Sequence, residues 1–369
     1  MTFLTAIPGL FILVILHWAP LTDQSQVNDV SDSCFEEDIF AFQPLKPQTS
    51  SWLYKKFSST ENEALSSQWS GECTSGFQQS PIDIPRQGNV WQEMDGLSFD
   101  NYASSPVVMR LTNTGHGLRL DLGQCDCDSR IPTISGAHLN GTFRFYQAHF
   151  HWGSSRNHGS EHLKSGTSFP MEVQLLHYNA KYESMKAALE YPDGLAGLAI
   201  FFQVKRRHLP ITINQLNTDI EIRVSQMSSD INYKLEDLVD QLPNVSHVGS
   251  SVILDEPLPL FYLLPKYHRE FFRYSGSLTS PPCTENVQWT ILRDPVPITL
   301  KQMSGFDAIF RDSENRTKLS DNFRPIQDVN NRTIYQRLVV YNRGSLFQVP
   351  LEGLLITILV IIPNIFVVK

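Results

Sequence analysis

The chain has 369 residues, of which 41% are apolar, and its formal net charge at pH 7 is -8. This length and composition predict one large folded domain with appended segments. The acidic residues are spread along the chain, so they indicate ordinary solubility rather than a charged partner surface. Nucleic-acid binding needs a basic face, and a nucleic-acid partner is therefore not expected.

Residues 1–22 predict a secretory signal peptide. They contain an apolar run that ends at Leu16, before the first acidic residue at Asp23. No Lys or Arg precedes the run, and cleavage is expected between Ala19 and Asp23; the alternative interpretation is a buried N-terminal helix. Residues 23–60 follow as a polar, irregular leader that predicts little structure of its own.

Residues 341–369 predict attachment to a membrane. Small residues at Asn342, Gly344 and Ser345 precede a short spacer and an apolar tail, an order that is typical of a GPI-attachment signal. The alternative is a single membrane span. Against a span, the tail is short, is interrupted at Pro363, and has only Lys369 beyond it.

Four sequons predict glycosylation and passage through the secretory pathway: Asn140, Asn244, Asn315 and Asn331. Together with the two terminal segments, they predict a location at the extracellular face of the plasma membrane. The five cysteines are an odd number for an oxidising compartment, so at least one is unpaired or joined elsewhere. Cys125 and Cys127 are too close in sequence for a relaxed disulfide, and the partners of Cys34, Cys125 and Cys127 stay open.

Residues 61–340 predict one mainly β domain with a few surface helices. Short apolar stretches alternate with Gly, Pro, Asn and Asp, which is the pattern of many short strands. The predicted strands include residues 106–111, 118–122, 142–152, 172–179, 195–205 and 287–292. Helical periodicity is limited to residues 182–190, 231–242 and 301–311.

Two imidazoles in one predicted strand indicate a metal site. His149 and His151 are two residues apart, so in an extended strand they share a face. The predicted strand at residues 172–179 places Gln174 on one face in the same way. Two such neighbouring strands can form a pocket that binds zinc through three ligands and leaves a fourth position free. The alternative for a buried histidine is a hydrogen-bonded core residue.

Seven segments together make the chain resemble an α-carbonic anhydrase, in the order and approximate spacing of that family. They are residues 79–84, 113–116, 147–153, 159–162, 172–177, 191–195 and 277–282. The resemblance covers about residues 65 to 335. It implies a central ten-stranded, largely antiparallel twisted sheet, Zn²⁺ at the foot of a conical cleft, and CO2 and bicarbonate as substrates.

The resemblance also implies roles for individual residues. His149 and His151 match the first two zinc ligands, and His116 matches the proton shuttle, a role that suits an imidazole. Thr279 and Glu161 match the pair that orients the attacking hydroxide. Without the family context, Thr279 reads as part of a local turn and His116 as an ordinary surface histidine.

Further matches surround the predicted zinc site. Gln147 and Glu172 match the groups that hold the imidazoles in place, whose loss typically costs about 10–100-fold in affinity or activity. Cys73 and Cys283 match the disulfide of secreted members and would tether the loop that carries Thr279. The apolar wall for CO2, for which core packing is the alternative, matches Leu176, Gly197, Leu278 and Trp289. Gly197 replaces a branched residue and Leu176 a smaller one, so a reshaped pocket is expected.

Gln174 occupies the position of the third zinc ligand, where the family normally has histidine. An amide oxygen can donate to the metal while the NH2 group bonds Glu172, but zinc prefers imidazole. One hypothesis is therefore a membrane-anchored, extracellular, zinc-dependent carbonic anhydrase with reduced activity. The other is an acatalytic carbonic-anhydrase-related protein that acts as a cell-surface binding module. The retained site residues favour the enzyme, and the sequence assigns no protein partner.

Overall fold

The computed structural model describes Tyr54 and residues 69–106, 108–122, 130–205 and 233–339. The predicted signal peptide, the leader apart from Tyr54, and the C-terminal apolar segment lie outside the described residues. Cys34, Cys125 and Cys127 also lie outside them. No helix among the described residues is long and apolar enough to span a membrane.

Strands dominate the described part of the chain, as the alternating pattern predicts. They are β1 (Asp83–Ile84), β2 (Val90–Trp91), β3 (Leu97–Asp100), β4 (Met109–Asn113), β5 (Leu118–Leu122), β6 (Thr133–Gly136), β7 (Phe143–Trp152), β8 (Leu163–Lys164), β9 (Met171–Asn179), β10 (Leu195–Val204), β11 (Ser251–Ile253), β12 (Phe271–Gly276), β13 (Val287–Leu292), β14 (Val296–Ile298) and β15 (Tyr335–Arg337). The helices are α1 (Met185–Ala188), α2 (Lys234–Asp240) and α3 (Leu300–Phe306). Single 3₁₀ turns lie at Gly71–Cys73, Leu242–Val245 and Leu260–Leu263.

Within the described residues, one 13-stranded sheet organises the domain, with β1 and β8 forming a separate pair. Ten strands follow each other across the sheet in the order β11-β4-β5-β7-β9-β10-β13-β12-β15-β2. The prediction of a mainly β domain on one large sheet is confirmed. The sheet is mixed rather than purely antiparallel, because β10 pairs in parallel with β13 and β14, and β15 pairs in parallel with β2.

The two faces of the sheet carry different chemistry because successive side chains of a strand point to opposite sides. One face packs the main core, in which Phe150 and Leu175 meet the apolar sides of α2 and α3. The other face holds a smaller apolar cluster that includes Leu176 and Trp289. The predicted metal ligands alternate with main-core residues along β7 and β9, so they belong to this second face.

The helix at residues 300–306 shows how local sequence sets an element's limits. Thr299 caps it, because its hydroxyl accepts from the Gln302 backbone N–H at 3.1 Å while the Gln302 side chain accepts from the Thr299 N–H at 3.0 Å. Met303 and Phe306 anchor the helix in the main core. The predicted helix continued to residue 311, but the observed one ends at Phe306. Beyond it, Phe310 forms a bridge with Lys318 instead.

Candidate active site

Strand register brings the predicted ligands onto neighbouring positions of one sheet face. β7 and β9 are antiparallel, with His149 opposite Gln174 and His151 opposite Glu172. A register shift between Phe145 and Gln147 accommodates one extra residue in β7. Directly opposite residues in a sheet point to the same side. The sheet therefore assembles the two imidazoles and the amide from segments more than twenty residues apart.

The His151 side chain leaves one buried ring nitrogen free. Its Nδ1 lies 2.7 Å from the Asn322 carbonyl oxygen, which can only accept, so Nδ1 carries the proton and donates it. Nε2 then holds the lone pair. It is buried and has no hydrogen-bond partner among the described residues. Buried polar atoms are rarely left unpaired, and a free imidazole nitrogen whose other nitrogen donates to a carbonyl is the usual state of a metal ligand.

His149 contacts Gln147, one of the two residues that the resemblance implies hold the imidazoles. Its Nε2 lies 2.7 Å from the Gln147 amide nitrogen, which donates to it. Burial, with smaller effects of His151 and Arg119, lowers the pKa of His149 to about 3. His149 is therefore neutral at pH 7, as metal binding requires. Because Nε2 accepts from Gln147, the proton of the neutral ring is on Nδ1, and a ligand role requires the Gln147 contact to break.

Gln174 is held by three side chains. Its Nε2 donates to Glu161 Oε2 at 2.8 Å and to Glu172 Oε1 at 2.9 Å. Because a carboxylate can only accept, these bonds fix which end of the amide is nitrogen. The Gln174 oxygen is therefore turned away from both carboxylates, where it accepts from the Thr279 hydroxyl at 3.3 Å. The expected bond between Gln174 and Glu172 is present.

The Thr279 hydroxyl does not donate to Glu161 as expected. The Glu161 Oε2 atom accepts from Gln174, and Oε1 accepts from the Arg324 backbone N–H at 2.8 Å. Thr279 donates to the Gln174 oxygen instead. The physical reason is the substitution itself, since the Gln174 amide brings two N–H donors and an acceptor to this position.

A buried hydrogen-bond chain supports the site from below. Glu172 accepts from the His162 backbone N–H at 2.8 Å and lies 2.7 Å from His162 Nδ1. His162 Nε2 lies 2.7 Å from the Tyr274 hydroxyl, which donates to Ser80 Oγ at 2.9 Å. Burial alone would raise the pKa of Glu172, but His162, with smaller effects of His151 and Gln174, holds it below its usual value.

Several of these supporting residues have no role in the sequence-based prediction. His162 and Ser80 lie in segments that carry the family resemblance, but the resemblance assigned no role to either residue. Asn322 and Arg324 reach the site from more than 160 residues away in sequence, and no local pattern marks them. Tyr54 lies in the predicted leader, yet its ring is buried 6.3 Å from the His151 ring, centroid to centroid.

The predicted apolar wall lies in register across three strands. Leu176 of β9 is opposite Gly197 of β10, which is opposite Trp289 of β13. A Cβ atom on Gly197 would lie 2.6 Å from two atoms of the Trp289 ring. The indole therefore fills the space that a side chain at 197 would need. Leu278 packs against the same cluster, half-buried.

His116 is half-buried in a tight turn at residues 114–117. The Thr114 hydroxyl accepts from the backbone N–H groups of His116 and Gly117, at 3.3 and 3.1 Å. Burial, with a smaller effect of Arg311, lowers the pKa of His116 below its usual value. The Asn322 amide donates to the His116 carbonyl at 3.2 Å, so one residue links this turn to His151.

The predicted disulfide is confirmed. Cys73 and Cys283 are bonded, and Cys283 follows the loop that carries Thr279. The four sequon asparagines, Asn140, Asn244, Asn315 and Asn331, are all exposed, so the structure leaves them accessible to modification.

Comparison with known proteins agrees with this geometry. The profile of the eukaryotic-type carbonic anhydrase family matches residues 64–338. The chain belongs to this family. It is 33% identical to carbonic anhydrase 7 of Mus musculus over 263 residues, which are 70% of this chain and 88% of the relative.

Two further relatives are carbonic anhydrases with other names, one of which is mitochondrial. The chain is 29% identical to mitochondrial carbonic anhydrase 5A of Homo sapiens over 292 residues, 78% of this chain and 86% of the relative. It is 31% identical to carbonic anhydrase 6 of Canis lupus familiaris over 278 residues, 74% of this chain and 77% of the relative.

Carbonic anhydrases typically use zinc. The ligand atoms of this site can therefore be compared with those that zinc accepts. Within the described residues, no group of three or more His, Cys, Asp or Glu side chains is arranged to hold a metal ion. The reason is Gln174, whose amide stands where a third imidazole is normal. Zinc accepts nitrogen and oxygen ligands. The Nε2 atom of His151 and the Gln174 oxygen are therefore donors that zinc accepts, and His149 becomes the third once its Nε2 is released from Gln147.

Proposed function

We propose that this chain is a zinc-dependent carbonic anhydrase of reduced activity, which hydrates CO2 reversibly to bicarbonate and a proton. The buried, unpartnered Nε2 of His151 carries this proposal. An inert core histidine would gain by pairing that atom, since an unsatisfied buried polar atom costs about 1–3 kcal/mol. Here it stands on the same sheet face as an amide whose oxygen is turned away from the carboxylates.

His149, His151 and Gln174 would hold the metal. Zinc supplies a nucleophile at neutral pH by lowering the pKa of a water molecule to about 7, a chemistry for which carbonic anhydrases are themselves the standard example. Leu176, Trp289 and Leu278 provide an apolar surface for CO2. His116 would carry the proton to solvent, and its lowered pKa keeps it mostly neutral and able to accept.

Two features of the chain reduce the expected activity. An amide oxygen is a poorer zinc ligand than an imidazole nitrogen. The Thr279 hydroxyl donates to Gln174 rather than to Glu161, so its oxygen can still accept from the reacting hydroxide but lacks its usual anchor. Positioning errors of this kind lower the rate without abolishing the reaction.

We further propose that the protein acts at the extracellular face of the plasma membrane, held by its C-terminal segment. The disulfide between Cys73 and Cys283 supports an oxidising compartment. Four exposed sequons and the predicted signal peptide are consistent with it. The test is to express the full chain in cultured cells and to measure surface labelling before and after phospholipase C treatment. Protein that stays in the cytosol would contradict this part of the proposal.

The activity is tested on the purified protein by zinc analysis and stopped-flow CO2 hydration. We expect close to one zinc per chain after supplementation, and a hydration rate that an aromatic sulfonamide blocks. A matched variant, His151→Ala, should lose both zinc and activity. Absence of zinc from the folded, supplemented wild-type protein would end the enzyme proposal.

A specific observation favours the second candidate, an acatalytic cell-surface binding module. Both N–H donors and the oxygen of Gln174 already have protein partners, so this side chain is satisfied without a metal. The binding module predicts that a chelator leaves thermal stability unchanged. The enzyme predicts that the chelator lowers it, because a ligand that binds only the folded state stabilises that state.

A further inference from the structure

A buried arginine lies on the sheet face opposite the zinc site. Arg273 is in β12, opposite Thr290 of β13 and Tyr335 of β15. It alternates with Tyr274, which faces the catalytic side, and so points the same way as Phe271 of the main core. Only 6% of Arg273 is exposed.

The Arg273 guanidinium uses few of its donors. Nε donates to the Thr290 hydroxyl oxygen at 2.9 Å, and Nη1 donates to the Ala137 carbonyl at 3.0 Å. Nη2 is buried and has no hydrogen-bond partner in the part of the chain that the structure describes. A guanidinium has five N–H donors, so most of its capacity is unused. The Thr290 hydroxyl oxygen accepts from Nε, so the Thr290 hydroxyl proton can itself be donated to another acceptor.

The positive charge of Arg273 has no negative partner. Within the described residues no carboxylate forms an ion pair with it, and its hydrogen bonds end on two neutral oxygens. Burial alone lowers the pKa of Arg273, to about 10, so the side chain is charged at neutral pH. The Phe271 ring, 5.7 Å from the guanidinium carbon, offers only a weak cation–π contact. A buried charge without a counter-charge is strongly unfavourable.

We propose that Arg273 and the Thr290 hydroxyl form a buried site for a small monovalent inorganic anion of the halide type. The Nη2 donors have no partner among the described residues and belong to the guanidinium whose Nε bonds the Thr290 hydroxyl. Hydrogen bonds from a charged donor to an anion are the strong kind. One guanidinium balances one negative charge, so a divalent anion would leave the apolar core with a net charge. The site lies on the other side of the sheet from His151, and it does not depend on the proposed carbonic anhydrase activity.

Bromide identifies this site directly because it scatters X-rays anomalously. Crystals of the protein soaked in bromide should show an anomalous peak within hydrogen-bonding distance of Arg273 Nη2. An ordered water at Nη2 without any anomalous peak would overturn the proposal. This measurement uses the unaltered protein, so it remains decisive even if variants at 273 do not fold.

Thermal unfolding gives a second, independent measurement. At constant ionic strength, replacing gluconate by chloride should raise the Tm of the wild-type protein in a concentration-dependent way, because the anion binds only the folded state. Arg273→Met should abolish this response. Arg337→Met is the matched control, since Arg337 also donates to two neutral oxygens, both of them carbonyls, but is only half-buried. An unchanged chloride response in Arg273→Met would show that the ion binds elsewhere.

Discussion

Replacing Gln174 by histidine should strengthen zinc binding and lower the stability of the zinc-free protein. The imidazole restores the nitrogen donor that zinc prefers, and one ring N–H can still donate to Glu172. The bond from Gln174 Nε2 to Glu161 is lost. Glu161 Oε2 then becomes free to accept from Thr279, which would restore the usual hydroxide-orienting pair.

The magnitude of each effect follows from these contacts. The lost hydrogen bond to a charged group corresponds to about 1.5–3 kcal/mol. The zinc-free variant should therefore unfold at a lower temperature than the zinc-free wild type. The zinc affinity should rise by about tenfold or more, since the loss of even a supporting partner of a ligand typically costs about 10–100-fold. The hydration rate should rise with it.

Three measurements check this prediction. Competition with a chromophoric chelator gives the zinc affinity, stopped-flow gives the CO2 hydration rate, and calorimetry gives the stability with and without zinc. Gln288→His is a suitable control, because Gln288 alternates with Trp289 along β13 and so faces away from the site. Unchanged zinc affinity and rate in Gln174→His would refute the assignment of position 174 as a ligand.

Three further predictions concern single side chains. Arg311→Gln should raise the pKa of His116, measured by NMR titration, because it removes a neighbouring positive charge; a pKa that does not move would contradict the proximity of the two groups. Gly197→Val should lower the free energy of unfolding by about 1–3 kcal/mol, because its side chain would overlap the Trp289 ring, and denaturant titration tests this. Burial lowers the pKa of His177 to about 3, below its unfolded value, so stability should decrease as the pH falls from about 6.5 towards 3. His177→Gln should flatten that slope, and an equally steep acid loss in the variant would refute this explanation.

Prediction from sequence succeeded where the signal is local. The alternation in residues 172–179 predicted a strand, which is observed as Met171–Asn179. It also placed Gln174 and Glu172 on one face. The disulfide between Cys73 and Cys283 was implied by family resemblance and is present. Helix ends were less accurate, because tertiary contacts after Phe306 stop α3 sooner than its periodicity predicts.

The hydrogen-bond partners of Glu161 could not be predicted from the sequence. The sequence implied a bond from Thr279, whereas Gln174 and the Arg324 backbone occupy both carboxylate oxygens. Each carboxylate oxygen accepts from the donors that packing brings closest. That packing depends on residues far apart in sequence. The same holds for His151, whose tautomer is set by the carbonyl of Asn322.

The sequence by itself determined the family, the mainly β fold and the residue types that converge on the site, because strand alternation and motif order are local properties. Only the tertiary structure decided how those residues pair, which ring nitrogen of His151 stays free, and that Arg273 carries a buried, unbalanced charge. Hydrogen-bond partners and burial are set by distances between strands, and a linear pattern contains no such distances.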